Sequence, residues 1–472
     1  MIRYLLIFIL ILALPTRVLA DLPKLGDPTH KELSPHEEYL MGKKFFQSIK
    51  ANAPMIEDLI VNDYLNSLGQ SLVSHSDQAD RQFKFFLLKI PTINAFAGPD
   101  AYIGVNSGLI INAKNESELA GVLAHEISHV TQRHLARAMS ESETSPAAII
   151  AAILAGILVS AQDPTAGAAI IYGSTAAMAQ SQINFTRSNE YEADRVGINL
   201  MRKSGINPEG MADFFDTLLR KSESNNEFSQ MEFLRTHPLS STRVAEARNR
   251  LKPQDLKLPR DSLDFHLVKA RIEVLSSNSL DDYIARKRAT FEQRHDINSE
   301  YAMAFAYIQQ NKPKQAIAHL KHLISIKNHP WFQLDLARAY QIKHQYSESL
   351  KLLEKLEKLY PFYLPVTADL SRLLIQQHQY KGTIQLLRQA LQHKKHPVLY
   401  QLLAQAYFSN GQIAAALENA SYQYELEGYN RLALQQVENA LKQDDISNPM
   451  QQRLESRKKS LLDELKQESN LY

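Results

Sequence analysis

The sequence predicts a mainly α chain: an α+β domain with one small sheet, followed by an all-α solenoid. Apolar residues recur at helical spacing through most of the chain. Strand-like runs are confined to one region, Phe83 to Ile90 and Ala101 to Val105, bounded by Pro91 and by Gly98-Pro99-Asp100. Past residue 296, Tyr307, Tyr340, Leu374 and Tyr407 stand 33, 34 and 33 residues apart, and Ala316, Ser349, Thr383 and Ala416 keep the same intervals. A period of that length marks stacked helical pairs.

Its 472 residues are enough for two or three domains, each able to bury its own core. Hydrophobic content of 44% with 22% charged residues is that of a globular protein and excludes a disordered chain. Cysteine is absent, which rules out disulfides, thiolate ligands, a cysteine nucleophile and cysteine lipidation; any metal is left to His and carboxylate. Residues 1–20 combine Arg3, an apolar run from Tyr4 to Leu14 and the small-residue end Val18-Leu19-Ala20, which reads as a removable secretory signal. The alternative is an uncleaved anchor, but such a run is short against the about 20 residues that a span needs. Export without cysteine fits a periplasmic location. The expected organisation is a signal at 1–20, a first domain at 21–252, a helical linker at 253–296 punctuated by Pro253 and Pro259, and the repeats with capping helices at 297–472.

Ser34-Pro35-His36-Glu37 has a cap, Pro at the first helical position and Glu three residues after the cap, so a helix to about Lys50 is predicted, then another from about Asn62 to Val73. Between the two strand-like runs, Asn94 to Gly98 is small and turn-like. The strand before the next helix either presents an open edge, suited to binding extended peptides through main-chain hydrogen bonds, or only packs on that helix.

That helix, Leu119 to Arg137, carries His125-Glu126-Ile127-Ser128-His129, and no Gly or Pro interrupts it from Val122 to Met139. Two imidazoles four residues apart lie on one side of a helix and can share one metal ion. Glu126 stands about 100° further round, where its carboxylate reaches a reacting water without competing for the metal. Together these are the parts of a zinc hydrolase.

Next come two apolar runs, Ala147 to Ala161 and Ala166 to Ala179, broken at Gln162-Asp163-Pro164-Thr165. Each is marginal for crossing a bilayer, leaving a hairpin in the core, a lid over the site, or a membrane-contacting loop. In Thr186-Arg187-Ser188-Asn189-Glu190-Tyr191-Glu192-Ala193-Asp194, Glu190 and Asp194 share a helix face; one carboxylate can complete a His2Glu site while the other orients a ligand. Glu192 reads as a solvated acid favoured by the helix dipole.

The HExxH motif, the Thr186-to-Asp194 motif and Thr236-His237-Pro238, in this order, resemble the gluzincin family that includes the CAAX prenyl endopeptidases and the bacterial heat-shock membrane protease, over roughly Leu33 to Arg250. The resemblance implies one zinc per chain held by His125, His129 and Glu190, with Glu126 as general base and Asp194 as a catalytic neighbour. In soluble periplasmic members of that family, a His placed as His237 is here can close over the zinc and restrain the enzyme. Arg243 reads either as an oxyanion stabiliser or as a helix-surface charge.

The period beyond residue 296 is that of tetratricopeptide repeats, whose concave surface recruits partners. Between Lys312 and Lys395 there are 14 basic and five acidic residues, a surplus of nine that points to acidic partners or anionic lipid head groups over nucleic acid, or simply to a solvated face. Joined to a gluzincin domain, the repeats resemble those periplasmic members. That implies quality control of outer-membrane proteins: degrading unfolded or stalled β-barrels and working with the barrel-assembly machinery. The rival expectations are a chaperone or assembly adaptor with a latent zinc site, and an integral membrane peptidase.

Overall fold

The computed structural model describes residues 34–140, 145–160, 179–223 and 233–469. The expected signal at 1–20 and most of the second apolar run, 166–178, lie outside them. Helix α1 (Pro35–Asn52) opens with a reciprocal cap, Ser34 accepting from Glu37 N while the Glu37 carboxylate accepts from Ser34 N at 2.8 Å. Helix α2 (Leu59–Val73) starts earlier than predicted, because the Asp58 carboxylate caps it by accepting from Ile60 and Val61 N–H.

The sheet holds β1 (Lys84–Leu88), β2 (Ala95–Ala97) and β3 (Tyr102–Asn106) in the order β1-β3-β2, with β1 parallel and β2 antiparallel to β3. Two expectations are corrected here. The segment read as a turn is the strand β2, and the strand expected at the edge, β3, is central. The cause is non-local: β3 offers its second edge to the short Ala-Phe-Ala segment, and Asn106 N–H to Asn94 O (3.0 Å) and Gly98 N–H to Tyr102 O (2.7 Å) clamp its ends.

Helix α3 (Ser107–Asn112) leads to α4 (Glu116–Thr131), whose cap Asn115 accepts from Glu118 N at 3.0 Å. The predicted unbroken run to Met139 is interrupted at Arg133, which adopts a left-handed φ of 55°, and resumes as α5 (His134–Ser140). The first apolar run is α6 (Pro146–Ser160); its Ile150 and Ile157 are buried with Phe45, Ile49, Phe86 and Tyr102. No helix among the described residues is long and apolar enough to cross a membrane.

Helices α7 (Ala179–Lys203) and α8 (Glu209–Glu223) pack directly on α4. Their approach is close because glycines line the contacts: a Cβ on Gly121 would sit 2.8 Å from Met211 Cα, and one on Gly197 would sit 3.2 Å from the Ala124 carbonyl carbon. Gly121→Ala is therefore expected to cost roughly 1–3 kcal/mol of stability, the range for overpacking a tight core, and to lower the thermal midpoint. An unchanged midpoint would show that the helices can separate freely.

After α9 (Phe233–Thr236) and α10 (Ser241–Asn249), the region expected to be a helical linker holds α11 (Leu263–Ser276) and α12 (Leu280–Arg294). Helix α11 buries Phe265, Leu267, Val268 and Ile272 in one hydrophobic cluster that runs from Ile56 to Leu373. The repeats pair α13 (Ile297–Gln309) with α14 (Pro313–Ile326), α15 (Pro330–Ile342) with α16 (Tyr346–Leu359), α17 (Leu364–Gln376) with α18 (Tyr380–His393), and α19 (Pro397–Ser409) with α20 (Ile413–Leu426). The turn within each pair is closed by a left-handed residue, Asn311, His344, His378 and Gly411, in phase with the period. The small residues of the period, Ala316, Ser349, Thr383 and Ala416, are all buried where the paired helices meet. Helices α21 (Asn430–Ala440) and α22 (Asn448–Ser469) end the stack and bring it back to α1, where Lys43 lies 3.4 Å from both Glu464 and Glu468. Part of the basic surplus is spent internally: Arg338 and Arg372 bond Asp369, and Lys394 bonds Asp63.

Candidate metal centre

Helix α4 presents His125 and His129 on the face turned to α7, which presents Glu190 and Asp194 from its own i, i+4 positions. His237 enters from the end of α9, its N–H bonded to Phe233 O at 2.8 Å and its ring stacked on Phe233 with centroids 4.6 Å apart. The sequence placed this His in a loop; the structure buries it, 7% exposed.

The donor atoms converge. His125 Nε2 is 3.0 Å from His129 Nε2, 3.3 Å from Glu190 Oε2 and 3.3 Å from His237 Nδ1, while Glu190 Oε1 is 3.4 Å from His129 Nε2 and 3.1 Å from His237 Nδ1. Four donors held about 2.0–2.1 Å from a tetrahedral zinc stand roughly 3.3 Å from one another, so the spacing fits such an ion. Among the described residues this is the one group of three or more His or acidic side chains with that convergence.

Around the donors, charges are matched. Arg243 is buried: its Nε and Nη2 donate to Asp194 Oδ2 and Oδ1, both at 2.8 Å, and its Nη1 lies 2.9 Å from Glu190 Oε2. This excludes the surface-charge reading and aims the guanidinium at the two carboxylates. Asp194 Oδ1 in turn lies 2.9 Å from His125 Nδ1. Burial opposes charge on His125, but the bonds to Asp194 and Glu190 outweigh it and lift its pKa to about 10. At His129 burial prevails and the pKa falls to about 3. Glu190 is held well below the usual carboxylate range against its burial, chiefly by His237 and His125.

Glu126 stands apart from the donor set. Burial raises its pKa, its Oε1 has no hydrogen-bond partner, and His237 Nε2 is 3.4 Å from that oxygen. A cavity of about 290 Å³ opens onto it, walled by Phe96 and Ala97 of the edge strand and the Gly98 that follows it, by His129, Arg133 and His134, and by Ile153 of α6. The first apolar run thus contributes both to the core and to the wall of the site.

The model of peptidase family M48 matches residues 60–251, and that of the tetratricopeptide repeat matches residues 374–418. The beta-barrel assembly-enhancing protease of Escherichia coli (strain K12) is 35% identical over 371 residues, which cover 71% of this chain and 76% of that one. The chain belongs to peptidase family M48. The protein of the same name from Yersinia pestis is 33% identical over 378 residues, 72% of this chain and 77% of the other, and the metalloprotease LoiP of Escherichia coli (strain K12) is 26% identical over 195 residues, 41% and 71%. This M48 chain is accordingly a metallopeptidase that carries tetratricopeptide repeats.

Two residues of the M48 centre escaped the sequence reading. His134 Nδ1 lies 2.7 Å from His129 Nδ1, and its Nε2 lies 3.2 Å from Glu192 Oε2. Glu192, expected to be a solvated acid, is held there by Arg137 Nη2 at 2.7 Å. The only trace of this in the sequence is a third His five residues after His129, at an angle that an unbroken helix would turn away.

Proposed function

We propose that this chain is a periplasmic zinc metalloendopeptidase of outer-membrane protein quality control, which degrades misfolded or stalled β-barrel proteins and assists their assembly. The observation that carries the chemistry is the set of four donors at tetrahedral spacing beside the buried Glu126 carboxylate, whose Oε1 makes no hydrogen bond and faces His237 Nε2 at 3.4 Å. His125, His129 and Glu190 would hold the zinc, with Asp194 and Arg243 fixing His125 and Glu190. When bound, zinc supplies Lewis-acid activation of a water and of the scissile carbonyl.

The chain's own groups do the rest. The outer edge of β2 bounds the cavity at Phe96 and Ala97; the Ala97 N–H is turned to Glu126, and the remaining outward main-chain groups of the strand can align an extended substrate strand. Glu126 takes a proton from the attacking water and returns it to the leaving amine, a role that its raised pKa suits. His237 fills the fourth corner of the donor set, so it must swing out before substrate and water can enter. The names of the relatives support the barrel substrates, and the apolar leader with its small-residue end supports export. The occupied fourth corner also favours a second reading, an assembly adaptor whose site stays latent.

Zinc content and casein hydrolysis of the purified chain test the proposal. The expected result is one zinc per chain and slow cutting, with His237→Ala cutting roughly tenfold faster if the closed arrangement is favoured by about 1.4 kcal/mol. If zinc binds but neither form cuts an unfolded barrel protein, the adaptor reading replaces the protease.

A further inference from the structure

We propose that His134 is a positioning residue of the metal centre, accepting a hydrogen bond from His129 and passing the polarity on to Glu192, so that His129 is held in the tautomer and orientation that present its Nε2 to the metal. The inference rests on His129 being a ligand, as proposed above.

The atoms leave one consistent assignment. His129 Nε2 points into the donor set, 3.0 Å from His125 Nε2 and 3.4 Å from Glu190 Oε1. A neutral imidazole that offers its lone pair at Nε2 carries its proton on Nδ1. That Nδ1 is 2.7 Å from Nδ1 of His134, too close for anything but a shared proton, so His129 donates and His134 accepts. With its lone pair used at Nδ1, His134 carries its own proton on Nε2, which faces Glu192 Oε2 at 3.2 Å. Arg137 fixes the far end, Nη2 to the same oxygen at 2.7 Å. Every member thus has the donor or acceptor role that its neighbour requires.

The backbone is shaped to make this contact. In a continuous helix, residues five apart stand about 140° apart around the axis and their side chains diverge. Arg133, at φ 55°, breaks α4 from α5 at the residue just before His134 and folds that side chain back onto His129. A non-glycine residue in the left-handed region is uncommon and mildly costly, and here its effect is the His129–His134 pair. His134 is only 5% exposed, so its ring is committed to these partners. The two ligand histidines are therefore oriented differently: His125 directly by Asp194, His129 through an intervening imidazole. Partners of this kind tune metal affinity in other centres by about 10- to 100-fold.

The test is equilibrium competition for zinc between the full chain and a chelating dye, comparing wild type, His129→Ala, His134→Phe and His134→Asn. Circular dichroism and thermal midpoints of the zinc-free proteins serve as the check on folding. Phe keeps the ring and loses both hydrogen bonds; Asn places Oδ1 where Nδ1 stands and restores the acceptor. The expected result is a loss in affinity of about 10- to 100-fold in His134→Phe, with His134→Asn binding about tenfold more tightly than the Phe variant. Wild-type affinity in a folded His134→Phe overturns the inference, since the ring's bulk alone would then suffice, and so does equal weakness of the two variants, which would mean that an acceptor in the place of Nδ1 restores nothing. If His129→Ala binds zinc as tightly as wild type, the ligand assignment itself fails, a result distinct from failure of the His134 variants alone.

Discussion

Glu126→Gln is expected to lower peptide hydrolysis by roughly 10²- to 10⁴-fold, the range for loss of a general acid–base group, while zinc content stays at one per chain. The split between the two readouts follows from geometry. Glu126 is one residue on from His125 and so turned away from the donor set, and the converging group is complete without it. Its amide replacement is nearly isosteric, keeps the buried packing of a side chain 1% exposed, and removes the site that takes the proton. The hydrolysis assay should use an unfolded barrel protein alongside casein, and the metal should be measured on the same sample. Loss of zinc together with activity would mean that Glu126 holds the ion or the fold, and retained hydrolysis would move the base to another group. The same variant separates protease from adaptor: an adaptor keeps its effect on barrel assembly when Glu126 no longer takes a proton.

Where the sequence was readable and where it was not follows from the range of the interactions. His125 and His129 share one helix face and Glu190 and Asp194 another, and a period of 3.6 residues writes that directly into the order of letters, while the choice of Glu190 over Asp194 as the third ligand came from the resemblance. The repeats are readable for a similar reason, since each pair contacts its neighbours and the small residues recur in phase. His237 was reached through resemblance, because its place beside Glu190 depends on the path of the chain from α8 to α10. The strand β2 was missed because Ala95-Phe96-Ala97 has little strand character of its own and is made a strand by β3. His134 was missed because Arg133, with neither Gly nor Pro beside it, gives no sign that the helix breaks there. Arg243 was underread as well: its partners Asp194 and Glu190 lie 49 and 53 residues away, and only the fold shows that it is buried against them.

Removing the Arg271 guanidinium should produce the largest loss of stability, and Arg271→Met is expected to cost roughly 3–5 kcal/mol, the range for breaking a buried ionic network from one side. Arg271, on α11, is fully buried with its guanidinium 3.8 Å above the Phe305 ring. It bonds Asp58 of the first domain through Nε (3.2 Å) and Nη2 (2.6 Å), and Asp335 and Tyr301 of the repeats through Nη1, both at 2.6 Å. One side chain therefore satisfies acids from both halves, and Asp58 also caps α2, so the variant leaves the carboxylate at the head of that helix without its guanidinium partner. Arg271→Lys would rescue little, because an ammonium cannot reproduce the fork that grips Asp58 and Asp335 together. The pH dependence has a definite sign. Burial opposes the Asp58 charge, but Arg271 outweighs it and holds the pKa at about 2 against an ordinary 3.8. A depressed carboxylate contributes stability that is fully present above about pH 4 and is lost as pH falls toward 2, on the order of 2 kcal/mol for this shift. In Arg271→Met that contribution vanishes, so acid unfolding should begin at a higher pH than in wild type. Urea unfolding at neutral pH and an acid titration followed by circular dichroism read the two effects separately. A variant within about 1 kcal/mol of wild type, with the same acid limb, would show that the apolar cluster alone joins the halves and that the network adds nothing to their union.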